Sequence, residues 1–258
     1  EKGRKLQNTS GSLISLFSNL AKKHQGINLA QGIPGFSPPD QLLRILSEKI
    51  RDPVHQYPPG NGDAALLELL AERYDRDEDE LLILQGATEA LSLLFLYFSQ
   101  TLARGDGVLA FDPPYESYQR LSSLYNFDFI LFPFSDNGSI DFERLEETIK
   151  EKRVKVVLVT SPGNPLGKIW TEEELSALST LSITYNFYMV CDYVYKDLFY
   201  GEEPVLPLDF LNKRIIYVDS FSKMLSITGW RIGYLICDRE IMKELRVIHD
   251  FTGLCASS

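Results

Sequence analysis

From about residue 64 onward, apolar residues alternate between helical spacing and short unbroken runs. Residues 64–74 set leucines at helical spacing, and 81–84 form an apolar run that stops just before Gly86. The pattern predicts a helix over 87–102, a strand over 108–111, a helix over 115–125, a strand over 127–132 and a helix over 141–152. Strands over 154–160 and 188–191 follow, separated by a helix that Thr171 caps with Glu174 three residues on. Apolar runs at 215–219 and 231–237 complete the series. Such alternation implies an α/β fold, a mostly parallel sheet covered by helices, with ligands at the carboxyl ends of the strands.

Residues 1–63 read differently. Gly and Pro recur in Gln31-Gly32-Ile33-Pro34-Gly35-Phe36-Ser37-Pro38-Pro39 and Tyr57-Pro58-Pro59-Gly60-Asn61-Gly62, and interleaved apolar and aromatic residues mark these as ordered loops. The expected division is an arm and covering loop over 1–45 and a large domain over 46–258. The charged run at 72–80 reads as a solvated connection.

Composition narrows the function. The 258 residues carry 26 basic and 36 acidic side chains, a net charge of −10, which repels phosphate backbones and anionic lipid. Nucleic acid and membranes are therefore not expected partners. The longest apolar stretch, 90–98, falls well short of the ~20 residues that span a bilayer and reads as a buried helix. Cys191, Cys237 and Cys255 are odd in number and lack metal or CxxC spacing, which points to a reducing, cytoplasmic setting. His24, His55 and His249 are scattered without a second ligand at helical spacing, so no metal site is expected. The chain opens at Glu1 without a Met and closes on Ala256-Ser257-Ser258, and is expected to be part of a longer one.

The candidate chemistry stands at the expected strand ends. Gln85-Gly86-Ala87-Thr88-Glu89 runs from a strand into a helix start, where free N–H groups and a hydroxyl can hold an anion such as phosphate. Asp112-Pro113-Pro114-Tyr115 offers an aromatic ring to a flat ligand, and Ser161-Pro162-Gly163-Asn164-Pro165 offers an amide. Cys191-Asp192-Tyr193-Val194-Tyr195 closes an apolar strand with a carboxylate that needs a donor partner. Ser220-Phe221-Ser222-Lys223 and Thr228-Gly229-Trp230-Arg231 add a hydroxyl, an amine and a guanidinium. Taken singly, each has an ordinary structural reading as a cap, a packed ring, a turn or a surface charge. Together they describe one ligand with a phosphate, a flat ring, a basic ring nitrogen and an aldehyde, namely pyridoxal 5'-phosphate.

With these residues in this order, the sequence resembles the fold-type I pyridoxal-phosphate enzymes of the class I/II aminotransferases from about Asn28 to His249. Asn164 precedes Asp192 by 28 residues, Asp192 precedes Lys223 by 31, Ser220 lies three before the lysine and Arg231 eight after it. The phrases Leu29-Ala30-Gln31-Gly32, Gly86-Ala87-Thr88-Glu89-Ala90-Leu91 and Thr228-Gly229-Trp230-Arg231 look closest to the methionine, glutamine and kynurenine aminotransferase branch. The resemblance implies that 46–258 is the cofactor-binding large domain and that Lys223 is the Schiff-base lysine, later the base and acid for the proton on the substrate α-carbon. It implies that Asp192 pairs with the pyridine nitrogen and that Tyr195 and Asn164 bond the ring's phenolate oxygen. Tyr115 would stack on the ring, and Arg231, Ser220, Thr88 and the Gly86–Ala87 backbone would hold the phosphate. Tyr57 matches a tyrosine given to the neighbouring subunit's phosphate site, implying a homodimer with shared sites. Gly32, with Asn164, would contact substrate.

Two departures stand out. Tyr193 occupies a position where the family places an acidic residue, away from the proton path. Relatives continue into a small C-terminal domain carrying the arginine that clamps the substrate carboxylate, and this sequence stops before it. The implied activity is transamination between an L-α-amino acid, with an apolar, aromatic or methionine- or glutamine-like donor favoured, and a 2-oxo acid. The alternatives are a C–S β-lyase using the same residues, or a non-catalytic regulatory domain on this fold, for which residues 1–30 show no basic helix-turn-helix.

Overall fold

The computed structural model describes residues 11–29, 31–52, 55–210 and 212–257. Residues 1–10 of the expected arm, Ala30 of the Leu29-Ala30-Gln31-Gly32 phrase and Ser258 lie outside them. In chain order the α-helices are α1 (Leu13–Lys23), α2 (Asp40–Lys49), α3 (Ala64–Tyr74), α4 (Ala87–Thr101), α5 (Glu116–Leu124), α6 (Phe142–Glu151), α7 (Glu172–Tyr185), α8 (Phe221–Met224) and α9 (Arg239–Thr252). The strands are β1 (Leu81–Leu84), β2 (Gly107–Asp112), β3 (Asp128–Pro133), β4 (Val154–Thr160), β5 (Tyr188–Asp192), β6 (Ile215–Ser220) and β7 (Gly233–Ile236). The chain divides into two units, Glu1–Phe36 and Ser37–Ser258. The first holds α1 and an exposed loop, where Asn28 Nδ2 donates to Ser18 Oγ at 3.1 Å.

Side-chain caps fix several helix starts in the larger unit. Asp63 accepts from the Leu66 amide and Asp141 from the Arg144 amide, each at 3.0 Å, and Thr171 with Glu174 forms a reciprocal capping box. α4 is buried almost all round, with Leu94, Phe95 and Phe98 sealed between the sheet and α9, which explains its unbroken apolar sequence.

The seven strands lie in the order β1-β7-β6-β5-β4-β2-β3. β2 through β6 pair in parallel, whereas β7 runs antiparallel to both of its neighbours, β1 and β6. The sheet is therefore mostly parallel, as the alternation predicts. Alternate side chains feed two cores. Tyr193, Tyr217, Trp170 and Phe187 pack on one face with α3, α6 and α7, and Phe95, Phe98, Val218 and Leu235 pack on the other with α4, α5 and α9. Each fully buried large apolar side chain contributes roughly 1.5–3 kcal/mol of transfer free energy.

Pairing gathers the strand ends onto one rim. Thr160 faces Asp192, and both Leu84 and Ser220 face Gly233, so the ends of β1, β4, β5 and β6 and the start of β7 lie together. Gly233 is needed there because a Cβ would stand 2.8 Å from the Asp219 carbonyl oxygen and from Gly86 Cα, backbone atoms that cannot swing aside. No helix among the described residues is long and apolar enough to cross a membrane.

Candidate active site

Asp192 ends β5 with its carboxylate almost completely buried. Burial pushes its carboxyl up to about 6, opposed chiefly by the Tyr118 hydroxyl, which donates to Oδ2 at 2.8 Å, and by the Val194 amide, 3.4 Å from Oδ1. Tyr118 also lies 2.8 Å from Thr160 Oγ1 on the neighbouring strand. Burial and the adjacent carboxylate hold the Tyr118 phenol well above its ordinary range, so it remains a donor. The Tyr118 hydroxyl and the Val194 amide donate to the carboxylate, and the Lys223 amine acts on it as a nearby positive charge.

Tyr195 follows on the turn after β5. Its hydroxyl accepts from Asn164 Nδ2 at 3.5 Å, and its ring centroid lies 5.4 Å from Lys223 Nζ. Lys223 sits in the single turn α8, which the Ser220 hydroxyl caps by accepting from the Ser222 amide at 3.0 Å. The Lys223 amine is pushed below its ordinary value, first by burial and then by the Arg231 guanidinium, with Asp192 pulling the other way.

Arg231 is not the first residue of a strand, as the run 231–237 predicts. It adopts a left-handed φ of 57° before β7 begins at Gly233, because its guanidinium is turned back, donating from Nη1 to the Thr228 carbonyl at 3.0 Å. That turn brings it against the start of α4: a Cβ on Gly86, at φ 83°, would stand 2.7 Å from Arg231 Nη2. Arg231 and Thr88 line one depression beside the α4 N-terminus, and Ser220 faces Gly233 nearby. Tyr115, just ahead of α5, and Asn164 line a second depression, where the Tyr115 ring meets Tyr118 edge-on at 5.5 Å.

Lys223, Asp192, Tyr195, Asn164, Tyr115, Ser220, Arg231, Thr88 and the Gly86–Ala87 turn thus stand at loops of one rim. Tyr57 lies apart, exposed in a groove with Gln85 and Leu254. Gly32 lies on the exposed loop of the N-terminal unit. Tyr118 closes the segment Asp112-Pro113-Pro114-Tyr115-Glu116-Ser117-Tyr118, in which only Tyr115 is expected to act, and Thr160 has no expected role; its signal is a polar residue ending an apolar run, while its register with Asp192 comes from the sheet. Among the described residues no group of three or more His, Cys, Asp or Glu is placed to hold a metal ion.

The family model for aminotransferase class I and II matches residues 24–257. The chain belongs to the class I and II aminotransferase family. It is 31% identical over 264 residues to a probable aspartate aminotransferase of Methanocaldococcus jannaschii, covering 98% of this chain and 69% of that one. A methionine aminotransferase of Escherichia coli is 30% identical over 260 residues, covering 96% of this chain and 66% of that one. Aspartate aminotransferase from Thermus thermophilus with maleate superposes with a TM-score of 0.88 at 26% identity, covering 96% of this chain and 67% of that one. The chain thus spans about two thirds of the length of these relatives.

Aminotransferases of this family use pyridoxal 5'-phosphate, and the site's own chemistry fits that cofactor. A buried carboxylate held up at about 6 even with the Lys223 charge nearby would be stabilised by a charged ring N–H beside it. The Ser222 hydroxyl, beside the lysine, is buried without a hydrogen-bond partner. Gly86 and Arg231 leave no room for a Cβ at a helix N-terminus, the arrangement that lets backbone N–H groups approach a phosphate. Tyr193, the departure from the family pattern, is fully buried and donates to the Val205 carbonyl at 3.0 Å, so it serves the core beneath the site.

Proposed function

We propose that the protein containing this chain is a pyridoxal-phosphate-dependent aminotransferase that moves the amino group of an L-α-amino acid to a 2-oxo acid, with Lys223 as the attachment lysine. The observation that carries this reading is the convergence of a half-buried lysine below its ordinary pKa with a buried carboxylate above its own, on one strand-end rim. The relatives named aspartate and methionine aminotransferases support the reaction class. An apolar, aromatic or methionine- or glutamine-like donor is our reading from Ile33, Phe36 and Tyr115.

The bound cofactor supplies an aldehyde carbon for amines and a conjugated ring that accepts electron density from the substrate α-carbon. Asp192 would hold the ring nitrogen protonated, its own ionisation favoured by that contact and by Tyr118. Tyr195 and Asn164 would donate to the ring oxygen, and Tyr115 would cover the ring face. Arg231, Ser220, Thr88 and the Gly86–Ala87 amides would anchor the phosphate. Lys223, freed when the substrate amine takes its place, would take the α-proton on Nζ; its lowered pKa leaves more neutral amine at neutral pH. The segment 1–45, with Gly32, would cover the substrate, which Asn164 would also contact. Exposed Tyr57 would reach the phosphate site of a second subunit in a homodimer.

The test is borohydride reduction of the full-length protein with pyridoxal phosphate, followed by peptide mapping and amino-acid/oxo-acid turnover. The expected result is a pyridoxyl group on Lys223 and amino transfer that requires an added oxo acid. Modification elsewhere would refute the lysine assignment. Release of ammonia and a thiol without an oxo acid would identify a β-lyase instead.

A further inference from the structure

Beneath the rim lies a charged pair that the proposed chemistry does not use. Lys196 follows Tyr195, yet its side chain is only 9% exposed, and Asp219, which precedes Ser220, is 2% exposed. Lys196 Nζ lies 3.2 Å from Asp219 Oδ2. The same oxygen accepts from Tyr234 at 2.6 Å and Tyr217 at 3.2 Å, and Tyr74 joins Tyr234 at 2.6 Å. Asp219 Oδ1 accepts from the Ser220 amide at 2.6 Å. Lys196 also pairs with Asp197, whose carboxylate faces Arg73 at 3.9 Å near the surface.

We propose that the Lys196–Asp219 pair is a positioning device, locking the turn that carries Tyr195 to the strand end that carries Ser220 and Lys223. The inference rests on the reading of Lys223 and Tyr195 given above. Three main-chain bonds shape the turn: Tyr193 N to Val218 O at 2.8 Å, Lys196 N to Tyr193 O at 2.9 Å and Leu198 N to Tyr195 O at 2.8 Å. None of the three links Tyr195 or Lys196 to β6, whereas the ion pair does so directly. Its carboxylate then reaches the Ser220 amide, and Ser220 caps the turn bearing Lys223. The chain from Tyr195 to Lys223 is continuous through six residues: Tyr195, Lys196, Asp219, Ser220, Ser222 and Lys223. Net stability does not account for such a pair, since desolvating two charges offsets most of their attraction and apolar replacements of buried pairs are commonly neutral or better. What the pair adds is a fixed direction and distance between Lys196 and the end of β6, beyond the main-chain bond from Tyr193 to Val218 at the start of the turn. The Tyr234 and Tyr217 hydroxyls complete the carboxylate's bonding, with Tyr74 held on Tyr234 behind them, and fix its orientation.

The experiment uses the full-length protein loaded with pyridoxal phosphate and the double variant Lys196→Met/Asp219→Asn. Both charges leave together, so the field at Lys223 changes little and an altered cofactor signal reports geometry. The readouts are the pH midpoint of the bound cofactor's absorption change, cofactor affinity and urea unfolding. The expected result is a double variant as stable as the wild type, with affinity lowered about 10-fold and a displaced midpoint. Adding Tyr195→Phe to the double variant should then displace the midpoint less than it does in the wild type, because the pair acts through Tyr195. An unchanged midpoint and affinity in a folded double variant would overturn the proposal, as would full additivity with Tyr195→Phe. A double variant too unstable to fold, with Lys196→Met alone no less stable than the wild type, would also overturn it. If the wild type itself carries no pyridoxyl group on Lys223 after reduction, both readings fall; a labelled wild type with unaltered variants removes this one alone.

Discussion

Replacing Asp192 by Asn should make the cofactor-free protein more stable at pH 8 than at pH 4.5, relative to the wild type at each pH. The Asp192 carboxyl is buried and pushed from its ordinary 3.8 to about 6, with burial as the leading cause. Because the folded value lies above the unfolded one, folding favours the protonated form. Its contribution is fully present below 3.8 and is lost as pH rises through about 6. At ~1.4 kcal/mol per tenfold change in proton affinity, that span corresponds to about 3 kcal/mol. Asn cannot ionise, and its oxygen still accepts from Tyr118, so constant differences cancel when two pH values are compared. Because pH 4.5 already lies above 3.8, about 1 kcal/mol is lost there, and urea unfolding of full-length wild type and Asp192→Asn, stripped of cofactor, should show the variant gaining about 2 kcal/mol between pH 4.5 and 8. A difference independent of pH would refute the claim that this carboxylate is costly to ionise without a cationic ligand. With pyridoxal phosphate present the order should reverse at pH 8, since Asn offers the ring nitrogen no charge.

Gly86→Ala places a Cβ at φ 83°, ψ 169° and 2.7 Å from Arg231 Nη2, and should cost about 1–3 kcal/mol in urea unfolding while weakening phosphate affinity of the cofactor-free protein. Tyr118→Phe removes the donor on Asp192 Oδ2, so the carboxyl should titrate still higher and pyridoxal phosphate affinity should fall roughly 10-fold, read by fluorescence titration. Leu94→Ala, at a fully buried position of α4, should cost about 2–5 kcal/mol in unfolding, and the surviving folded protein should retain its cofactor absorption.

Much of the larger unit was legible in the order of its residues. The runs at 81–84 and 154–160 and the helix over 64–74 appear at those bounds, since a strand buried on both faces must be apolar throughout and a helix on a sheet must repeat near every fourth residue. The strand ends at Asp192 and Ser220 and the Gln85-Gly86 turn after β1 were legible for the same reason: a polar residue closing an apolar run marks where the chain leaves the core. Helices α1 and α2 were not read from residues 1–63, because the surrounding Gly and Pro loops obscured their short periods. Nor does periodicity show that β7 runs antiparallel, which a spacing of apolar residues cannot encode. Only the tertiary structure turned Arg231 out of its expected strand toward Gly86, set Tyr118 on Asp192 and buried Lys196 against Asp219. Each of these contacts joins residues from 23 to 145 positions apart, or 74 for Tyr118 and Asp192. Local sequence determines which residues end strands and start helices; which of them meet is decided by strand order, and strand order is settled by the packing of both faces of the sheet at once.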